Sequence, residues 1–499
     1  MHHPVSQSHS HADLIITNAK VLDGSGASAV NQAVAVKDDK IVAMGDLQDM
    51  TAAHTLDAKG LYLAPGFIDV HTHDDLELLR NPSMTNKISQ GVTSVIIGNC
   101  GISASPYASS NSPPDPINLL GKAEEFCYAC LQDYIVDFEA AAPYVNAAAL
   151  VGHTSLRAQV MKDMSVSATE QEIAAMTDIL RGALAQGAIG LSTGLAYKNA
   201  QGASTAEVAA LVGHLAEFNG VYSTHLRTEF DGIIDALDEA FTVAQHGNTP
   251  LVISHLKCAG KNNWGRAQEV SQHIKKRQTA QKISCDCYPY HASSSTLDLA
   301  QVTEDFDIFI TWSESHPEKA KQTLQSIAKQ WELSLMDAAK KLQPAGAVYH
   351  GMKEDDMKHF LALSFSMVGS DGLPCDPHPH PRLWGAFPRV LGRYCRDQKL
   401  FGLAQAVHKM TGLSASEFSI DKRGFLRVGY YADLVLFDAQ NIADMADFTD
   451  PMAMSTGIEK VWVNGQLSFQ SHQAEGAVLR PKKGAGRFLK RQTNAQSLA

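Results

Sequence analysis

One stretch of the sequence, GFIDVHTHDDLE from Gly66 to Glu77, indicates both the fold and the chemistry of this chain. Its apolar start, bounded by a proline and a run of acids, is typical of a short buried strand. His71 and His73 lie two residues apart, so both imidazoles of such a strand project from the same face. Two imidazoles at the end of one strand can bind a single metal ion. An H-x-H pair alone is weak support for a metal site, because ordinary cores and surfaces also contain such pairs.

Seven further segments of the same kind follow along the chain. They are rich in Val, Ile and small residues, end in polar side chains and are separated mostly by stretches with helical periodicity. With the first segment, they span residues 64–73, 91–101, 145–153, 188–195, 221–229, 250–258, 283–290 and 366–372. Alternating strands and helices favour a parallel sheet, and eight such units predict an α/β fold of the (β/α)8 TIM-barrel class. A doubly wound open sheet is the rival, but the sequence lacks the phosphate-binding glycine loop typical of that fold.

Two of the helical stretches carry capping signals. Ser167 with Glu170, and Ser204 with Glu207, have the spacing of capping boxes at helix starts, and both stretches end near a glycine. These signals predict two helices between barrel strands.

The two ends of the chain differ from its middle, because they contain short strands separated by turns. Residues 12–65 and 416–480 are predicted to form one small β domain, of sandwich or barrel type, beside a barrel that spans residues 66–415. Residues from about 293 to 352 do not fit a simple strand–helix unit and are interpreted as an insertion over the active face. Residues 481–499 are interpreted as a C-terminal tail.

Composition excludes several classes of protein. Of the 499 residues, 44% are hydrophobic and 19% charged, which is typical of a globular chain. The formal net charge of −11 argues against a nucleic-acid or anionic-membrane surface. The sequence has no apolar run long enough to span a membrane and no secretory signal at its start. We therefore expect a cytoplasmic protein with a small-molecule partner and with its eight cysteines reduced.

Four more potential metal ligands follow other predicted strands. Cys100 ends the second strand, His225 the fifth and His255 the sixth, and Asp371 follows the eighth. The carboxyl ends of the strands of a (β/α)8 barrel meet at one mouth, so these side chains are expected to converge there with the first two histidines. Imidazole, thiolate and carboxylate are typical zinc ligands. The alternative is that some of the six only cap strands or form hydrogen bonds at the top of the barrel.

The same residues carry a resemblance to a known family. PGFIDVHTH, His225, His255 and the acid of GSDG resemble the amidohydrolase superfamily. Most binuclear members have a carboxylated lysine on strand four, where this chain has AIGLSTGL without a lysine. GNCG around Cys100, HLKC, DCYPY and the long block GSDGLPCDPHPHPRLWGAFPRVLG resemble the N-acyl-D-amino-acid deacylases, or D-aminoacylases. The likeness extends from about residue 12 to residue 491.

This resemblance implies zinc-dependent hydrolysis of the amide bond of N-acyl-D-amino acids. It implies one tightly bound zinc on Cys100, His225 and His255, and a second, weaker position on His71, His73 and Asp371. One metal and one carboxylate can together supply a nucleophilic water, a polarised carbonyl and a proton for the leaving amine. Asp371 is therefore the expected catalytic acid and base.

The substrate's carboxylate needs fixed positive charge near the metal. Arg382 and Lys257 follow strands eight and six and can supply it. The resemblance adds Tyr197, Tyr288 and Ser295 to this pocket, and places Tyr349 and Met352 in an apolar wall. No additional cation follows strand seven, so we expect neutral or hydrophobic D-amino acids as substrates. The alternative for each of these residues is a packing role.

Other functions stay open from the sequence alone. They are a deacylase selective for N-acyl-D-glutamate or N-acyl-D-aspartate, a cyclic-amide hydrolase resembling hydantoinase or dihydroorotase, and a non-catalytic scaffold on the same barrel. The missing strand-four lysine and the presence of Cys100 argue against cyclic amides, and the full ligand set argues against a scaffold. A metal-storage role, suggested by the histidine-rich start, fits a ligand set beside an acid and two cations less well than turnover does.

Overall fold

The chain folds around a barrel of parallel strands. A computed structural model describes residues 11–471 and 483–491. The eight barrel strands, in chain order, are Phe67–Asp69, Val92–Ile97, Asn146–Gly152, Gly190–Gly194, Val221–His225, Leu251–Ile253, Ile283–Cys287 and Ser366–Val368. The last strand meets the first through a parallel bridge between Thr72 and Gly372. The (β/α)8 class predicted from eight strand–helix units is confirmed.

Helices cover the outer face of the barrel. They are Glu77–Arg80, Thr85–Ile88, Leu131–Ala141, His153–Val160, Glu170–Ala185, Lys198–Gln201, Thr205–Val212, Ile233–His246, Ala267–Arg277, Glu354–Ala362, Arg382–Arg389, Leu403–Met410 and Gly412–Glu417, with a π-helical turn at Val390–Asp397. Every residue of the eight barrel strands is buried except the half-buried His225. Burial on both faces explains why these strands are rich in apolar and small residues rather than alternating between apolar and polar ones.

The two predicted helix caps have different outcomes. Ser204 caps its helix as predicted, since its side chain accepts a hydrogen bond from Glu207 N. The other capping box lies two residues later than predicted, with Thr169 as the cap and Glu172 as its partner. Ser167 is not the cap, because its hydroxyl donates to a backbone carbonyl, Gly202 O, at 2.8 Å.

The terminal segments build one mixed sheet beside the barrel. Its strands are His11–Val21, Val30–Lys37, Lys40–Gly45, Thr51–Asp57, Tyr62–Pro65, Leu434–Phe437, Ile458–Val463 and Gln466–Gln470. Tyr62–Pro65 pairs antiparallel with Leu434–Phe437, and this pairing joins the N-terminal to the C-terminal part. The expected small β domain, built from both ends of the chain, is confirmed.

Residues between the seventh and eighth barrel strands form a substructure of their own. Four strands make an antiparallel sheet in the order Ser293–Thr296, Ala345–Tyr349, Ile308–Ser313 and Gln322–Thr323. Two helices, Leu324–Trp331 and Leu335–Leu342, pack on this sheet around a separate apolar core. This substructure occupies most of the span predicted to be an insertion.

Residues 483–491, within the span interpreted as a tail, pack against the barrel. Phe488 forms a parallel bridge with Ala147 of the third strand, and Arg487 N donates to Asn146 Oδ1 at 3.0 Å. The guanidinium of Arg491 donates to Ile189 O at 3.0 Å, directly before the fourth strand. This segment therefore covers the amino ends of barrel strands three and four. The histidine-rich residues 1–10 and the rest of the predicted tail lie outside the described residues.

Two expectations from composition concern membranes and thiols. Among the described residues, no helix is long and apolar enough to cross a membrane. All eight cysteines lie in the described part of the chain, and each is a free thiol. The thiols are therefore free for roles other than cross-linking.

Candidate metal centre

Six potential ligands converge at the mouth of the barrel, each placed by the carboxyl end of a strand. They are His71 and His73 after the first strand, Cys100 after the second, His225 at the end of the fifth, His255 after the sixth and Asp371 after the eighth. Five of the six are buried, and His225 is half-buried. Parallel strands bring residues from distant parts of the sequence to one edge, which explains how His71 and Asp371, 300 positions apart, lie in one site.

The six residues form two overlapping groups that share Cys100. In one, Cys100 Sγ lies 3.3 Å from His255 Nε2, which in turn lies 3.0 Å from His225 Nδ1. In the other, Cys100 Sγ lies 3.1 Å from His71 Nε2. Within each group, all ligand atoms lie within 4.8 Å of one another. Nitrogen, sulfur and carboxylate atoms this close together suit a zinc ion in each group, with the thiolate available to both.

The second group is completed by Asp371. One carboxylate oxygen, Oδ1, lies 3.4 Å from His71 Nε2 and 3.3 Å from His73 Nε2. The other oxygen, Oδ2, lies 2.8 Å from Arg382 Nη1. Asp371 thus connects the ligand cluster with a cation beside it.

The anionic ligands are held in their charged forms. Burial alone raises the pKa of a thiol, but the imidazoles of His71 and His255 bring the pKa of Cys100 well below its ordinary value. Burial also opposes ionisation of Asp371, yet Arg382 and His71 hold the pKa of its carboxyl well below its usual range. Both pKa shifts favour the anionic form, which is the form that binds a cation.

Three of the potential ligands have a left-handed backbone conformation. The φ angles are 54° at Cys100, 36° at His255 and 49° at Asp371. Residues other than glycine rarely adopt such angles, and each costs on the order of 1–3 kcal/mol. The reversal just past each strand turns the side chain into the barrel mouth, so local strain and ligand placement coincide.

Asp69, which precedes the two histidines, and Asp74, which follows them, have a structural role. Lys87 Nζ lies 2.9 Å from Asp69 Oδ2 and 3.2 Å from Asp74 Oδ2, and donates to Ser370 Oγ at 2.8 Å. The side chains of the lysine and both acids are fully buried. This cluster ties the first strand to the eighth directly beneath His71.

Asp75 has a different structural role. Its carboxylate accepts hydrogen bonds from Ala104 N at 3.0 Å and from Gly98 N at 3.3 Å. These two amides flank the turn that contains Cys100. Asp75 therefore holds the loop that presents the thiol.

Two carboxylates behind the ligands were missed in the sequence analysis. Asp286 accepts from His255 N at 2.9 Å and lies 3.2 Å from His71 Nδ1. Glu229 Oε1 lies 3.0 Å from His255 Nδ1. Asp286 could have been noticed as the acid within an otherwise apolar strand. Glu229 follows His225 by four residues, but no sequence pattern marks it.

The expected substrate-binding residues surround Tyr288. Its ring centroid lies 4.5 Å from the guanidinium carbon of Arg382 and 5.9 Å from Lys257 Nζ. Its hydroxyl lies 3.5 Å from Met352 Sδ. The structure thus brings both cations and Met352 to one aromatic ring.

Lys257 is engaged more deeply than expected. Its ammonium donates to Glu229 Oε1 at 2.5 Å and to His255 O at 3.0 Å. The side chain is almost fully buried. Lys257 therefore lies against the rear of His255.

The remaining expected pocket residues divide into two sets. The ring of Tyr197 packs 5.0 Å from that of His225, and Ser295 lines a cavity beside the site. Tyr349 is separate from them, because it packs in the core of the insertion and its hydroxyl bonds Thr296 O and Asp298 N. Tyr349 thus does not contact the residues around Tyr288 through its hydroxyl.

A cavity of about 660 Å³ opens next to Ser295 and to Leu373, two residues past Asp371. Its apolar lining includes Leu119 and Trp312. Its charged lining comprises Glu124, Glu125, Glu314, Asp376, Arg80 and Lys122. Arg80 is paired with Glu77 and with Glu125 of this lining, which leaves three acids against Lys122.

Comparisons with known proteins agree with this geometry. A family model described as the amidohydrolase family matches residues 54–300 and 314–469. D-aminoacylase of Alcaligenes xylosoxydans xylosoxydans is 44% identical over 479 residues, covering 96% of this chain and 98% of that protein. A crystal structure of a D-aminoacylase superposes with a TM-score of 0.92 at 45% identity, covering 96% of this chain and 100% of the other.

A second solved structure adds a ligand to the comparison. N-acyl-D-glutamate deacylase from Bordetella bronchiseptica, in complex with zinc and a phosphonate that mimics the tetrahedral intermediate, has a TM-score of 0.91 at 40% identity. It covers 96% of this chain and all of that chain. The resemblance read from the sequence is confirmed, and the chain belongs to the D-aminoacylase (N-acyl-D-amino-acid deacylase) family of the amidohydrolases.

Proposed function

We propose that this protein is a zinc-dependent hydrolase that cleaves the amide bond of N-acyl-D-amino acids, releasing a carboxylate and a free D-amino acid. The observation that carries the proposal is the grouping of Cys100, His225 and His255 within 4.8 Å, with Asp371 in the adjoining group. Three protein ligands that leave a position open, beside one carboxylate, are what metal-assisted hydrolysis requires.

The donor set fits zinc, with Cys100, His225 and His255 as the tight site. His71, His73 and Asp371 form a second, weaker position that shares the thiolate. A bound zinc supplies Lewis-acid polarisation of the amide carbonyl and stabilises the charge that develops on its oxygen. The pKa of Cys100, lowered by the neighbouring imidazoles against the effect of burial, supports binding as a thiolate.

Asp371 is the proposed general base and general acid. Its carboxylate accepts a proton from the attacking water and then donates that proton to the leaving nitrogen. Arg382 and His71 hold the pKa of its carboxyl below the usual range in spite of burial, which favours the ionised form that can accept a proton. No serine nucleophile is needed in this scheme.

The substrate α-carboxylate is proposed to bind Arg382 and Lys257 around the ring of Tyr288. An arginine offers two parallel donors to a carboxylate, and the planar Tyr288 ring, 4.5 Å away, keeps the guanidinium oriented. The α-carboxylate binds on one side of the metal and the amide carbonyl binds at the metal. With both groups fixed, only one configuration at the α-carbon places the side chain in the pocket. This arrangement supports a preference for one configuration.

We propose neutral or hydrophobic side chains for the substrate. The cavity beside the site combines Leu119, Trp312 and Leu373 with four carboxylates and two cations, and Arg80 and Glu125 pair with each other. A glutamate or aspartate side chain placed there would face like charge. Selectivity for acidic D-amino acids is the second candidate, because the similar enzyme from Bordetella bronchiseptica is named for N-acyl-D-glutamate.

The test is release of free amino acid from N-acetyl-D- and N-acetyl-L-methionine, leucine and glutamate, using protein of measured zinc content. We expect zinc-dependent release from the D-methionine and D-leucine derivatives only. Cys100→Ala should abolish zinc binding and release, whereas Cys258→Ala, at another buried thiol, should retain both.

Three outcomes would contradict parts of the proposal. Turnover of the L compounds would refute the D preference, and strong turnover of the D-glutamate derivative would refute the side-chain preference. No release from any compound by zinc-loaded protein would refute the deacylase function and favour cyclic amides.

A further inference from the structure

The carboxylate of Glu229 lies behind both histidines of the proposed tight zinc site. Its Oε1 is 3.0 Å from His255 Nδ1, and its Oε2 is 3.8 Å from His225 Nε2. The residue is 8% exposed, so its charge is directed at these groups rather than at solvent. One carboxylate thus faces two imidazoles.

The nitrogens that face Glu229 are the ones turned away from the ligand cluster. His255 Nε2 lies 3.3 Å from Cys100 Sγ, and His225 Nδ1 lies 3.0 Å from His255 Nε2. An imidazole that binds a metal through one nitrogen keeps its hydrogen on the other. Glu229 is the acceptor within reach of that hydrogen on His255, and the rear nitrogen of His225 lies within 4 Å.

The same carboxylate also fixes Lys257. The ammonium donates to Glu229 Oε1 at 2.5 Å, and its side chain is 4% exposed. Without the carboxylate, this buried ammonium would keep no anionic partner, only His255 O at 3.0 Å and His255 Nδ1 at 2.8 Å. Glu229 therefore sets the place of a cation as well as of two imidazoles.

We infer that Glu229 is a positioning residue that orients His255 and His225 for zinc and holds Lys257 in place, an inference that rests on the proposed zinc site. Carboxylates behind metal-bound histidines fix the ring orientation and make the imidazole a better ligand. The metal-facing nitrogens of both rings are thereby presented together. Glu229 itself does not contact the reacting atoms.

The test compares Glu229→Gln with the unmodified protein in three measurements. Zinc affinity is measured by competition with a chelating dye, the Co²⁺-substituted protein is examined by visible absorption, and kcat and KM are measured for N-acetyl-D-methionine. We expect zinc affinity to fall by about 10- to 100-fold, with a changed Co²⁺ spectrum that reports altered ligand geometry. Glu229→Asp should restore part of the affinity, since it keeps the charge.

The matched control is Glu239→Gln. Glu239 is also a carboxylate paired with a cation, Arg227 at 2.8 Å, but it lies on an outer helix. Its variant should bind zinc and Co²⁺ as the unmodified protein does. A thermal unfolding scan of each apo variant separates loss of affinity from loss of fold.

The outcomes distinguish this inference from the proposed function. If Glu229→Gln binds zinc within twofold of the unmodified protein with the same Co²⁺ spectrum, the inference is wrong, whatever the activity. If zinc affinity falls as expected but the unmodified protein releases no D-amino acid, the positioning role stands and the deacylase function fails. Lys257→Met should raise KM and leave zinc affinity unchanged, and equal weakening of zinc by both variants would refute a direct role of Glu229 on the histidines.

Discussion

Replacement of Lys87 by methionine should destabilise the fold through the acids beneath the metal centre. The ammonium lies 2.9 Å from Asp69 and 3.2 Å from Asp74, and all three side chains are fully buried. Methionine is of similar length, so the change removes charge more than volume. Removing one partner from a buried ion pair costs about 3–5 kcal/mol, because the opposite charge stays buried.

The loss should depend on pH in a defined direction. Burial raises the pKa of Asp74 to about 6, and Lys87 keeps it from rising further. In Lys87→Met the folded-state pKa of Asp74 increases again, while the unfolded-state value stays near 3.8. An acid whose folded pKa is raised stabilises the fold at low pH and loses that contribution as pH rises through the folded pKa. The deficit of the variant should therefore grow above about pH 6, by up to about 1.4 kcal/mol per pH unit.

The assay is urea unfolding at pH 6 and pH 8, with unchanged m-values as the condition for comparing free energies. The control is Lys282→Met, whose ammonium lies 3.5 Å from Glu417 and is 49% exposed. Its loss should stay below about 1 kcal/mol. A loss below 1 kcal/mol for Lys87→Met, or an equal loss at both pH values, would refute the reasoning.

Three further predictions concern the site. Asp371→Asn should lower kcat by about 10²- to 10⁴-fold while the tight zinc remains, and a variant that keeps a tenth of kcat would rule out its proton-transfer role. Arg382→Lys should raise KM by about tenfold, because a lysine cannot offer two parallel donors. The control is Arg389→Lys, which should leave KM unchanged, since Arg389 also lies on a tyrosine ring and pairs with an acid. Equal effects in the two arginine variants would assign Arg382 to packing. Removal of zinc by a chelator should lower the unfolding temperature, and added zinc should restore it. Zinc at 1,000 times its Kd contributes about 4 kcal/mol to the free energy of unfolding. An unchanged unfolding temperature would contradict a zinc site in the folded state.

The barrel and the convergence of the six potential ligands were predictable because each depends on local signals. Every barrel strand is a short run rich in apolar and small residues, and the chemistry-bearing residues lie where such runs end. His71, Cys100 and Asp371 needed only the rule that parallel strands present their carboxyl ends at one mouth. Their convergence then follows from the fold class alone.

The supporting residues were not predictable, because their partners are chosen by tertiary packing. Asp74 and Asp75 are adjacent in the sequence, yet one binds Lys87 and the other binds the loop that contains Cys100. In the sequence, Glu229 cannot be distinguished from any other acid that follows a strand, because its contact with His255 Nδ1 exists only in the folded structure. Spacing along the chain does not encode such contacts.

The shifted helix cap has the same origin. Two overlapping patterns, one starting at Ser167 and one at Thr169, offer a hydroxyl followed three residues later by a glutamate. The hydroxyl of Ser167 donates to Gly202 O, in a distant turn, and does not cap the helix. The competition was therefore decided outside the helix.

The segment of residues 483–491 has a consequence for synthesis on the ribosome. Its backbone amide at Arg487 binds the side chain of Asn146, 341 positions earlier in the chain. At 5–20 residues per second, translation reaches Arg487 roughly 15–70 s after Asn146. During that interval the amino ends of strands three and four lack this cover, and they acquire it only after all eight barrel strands, the last at Ser366–Val368, have been synthesised.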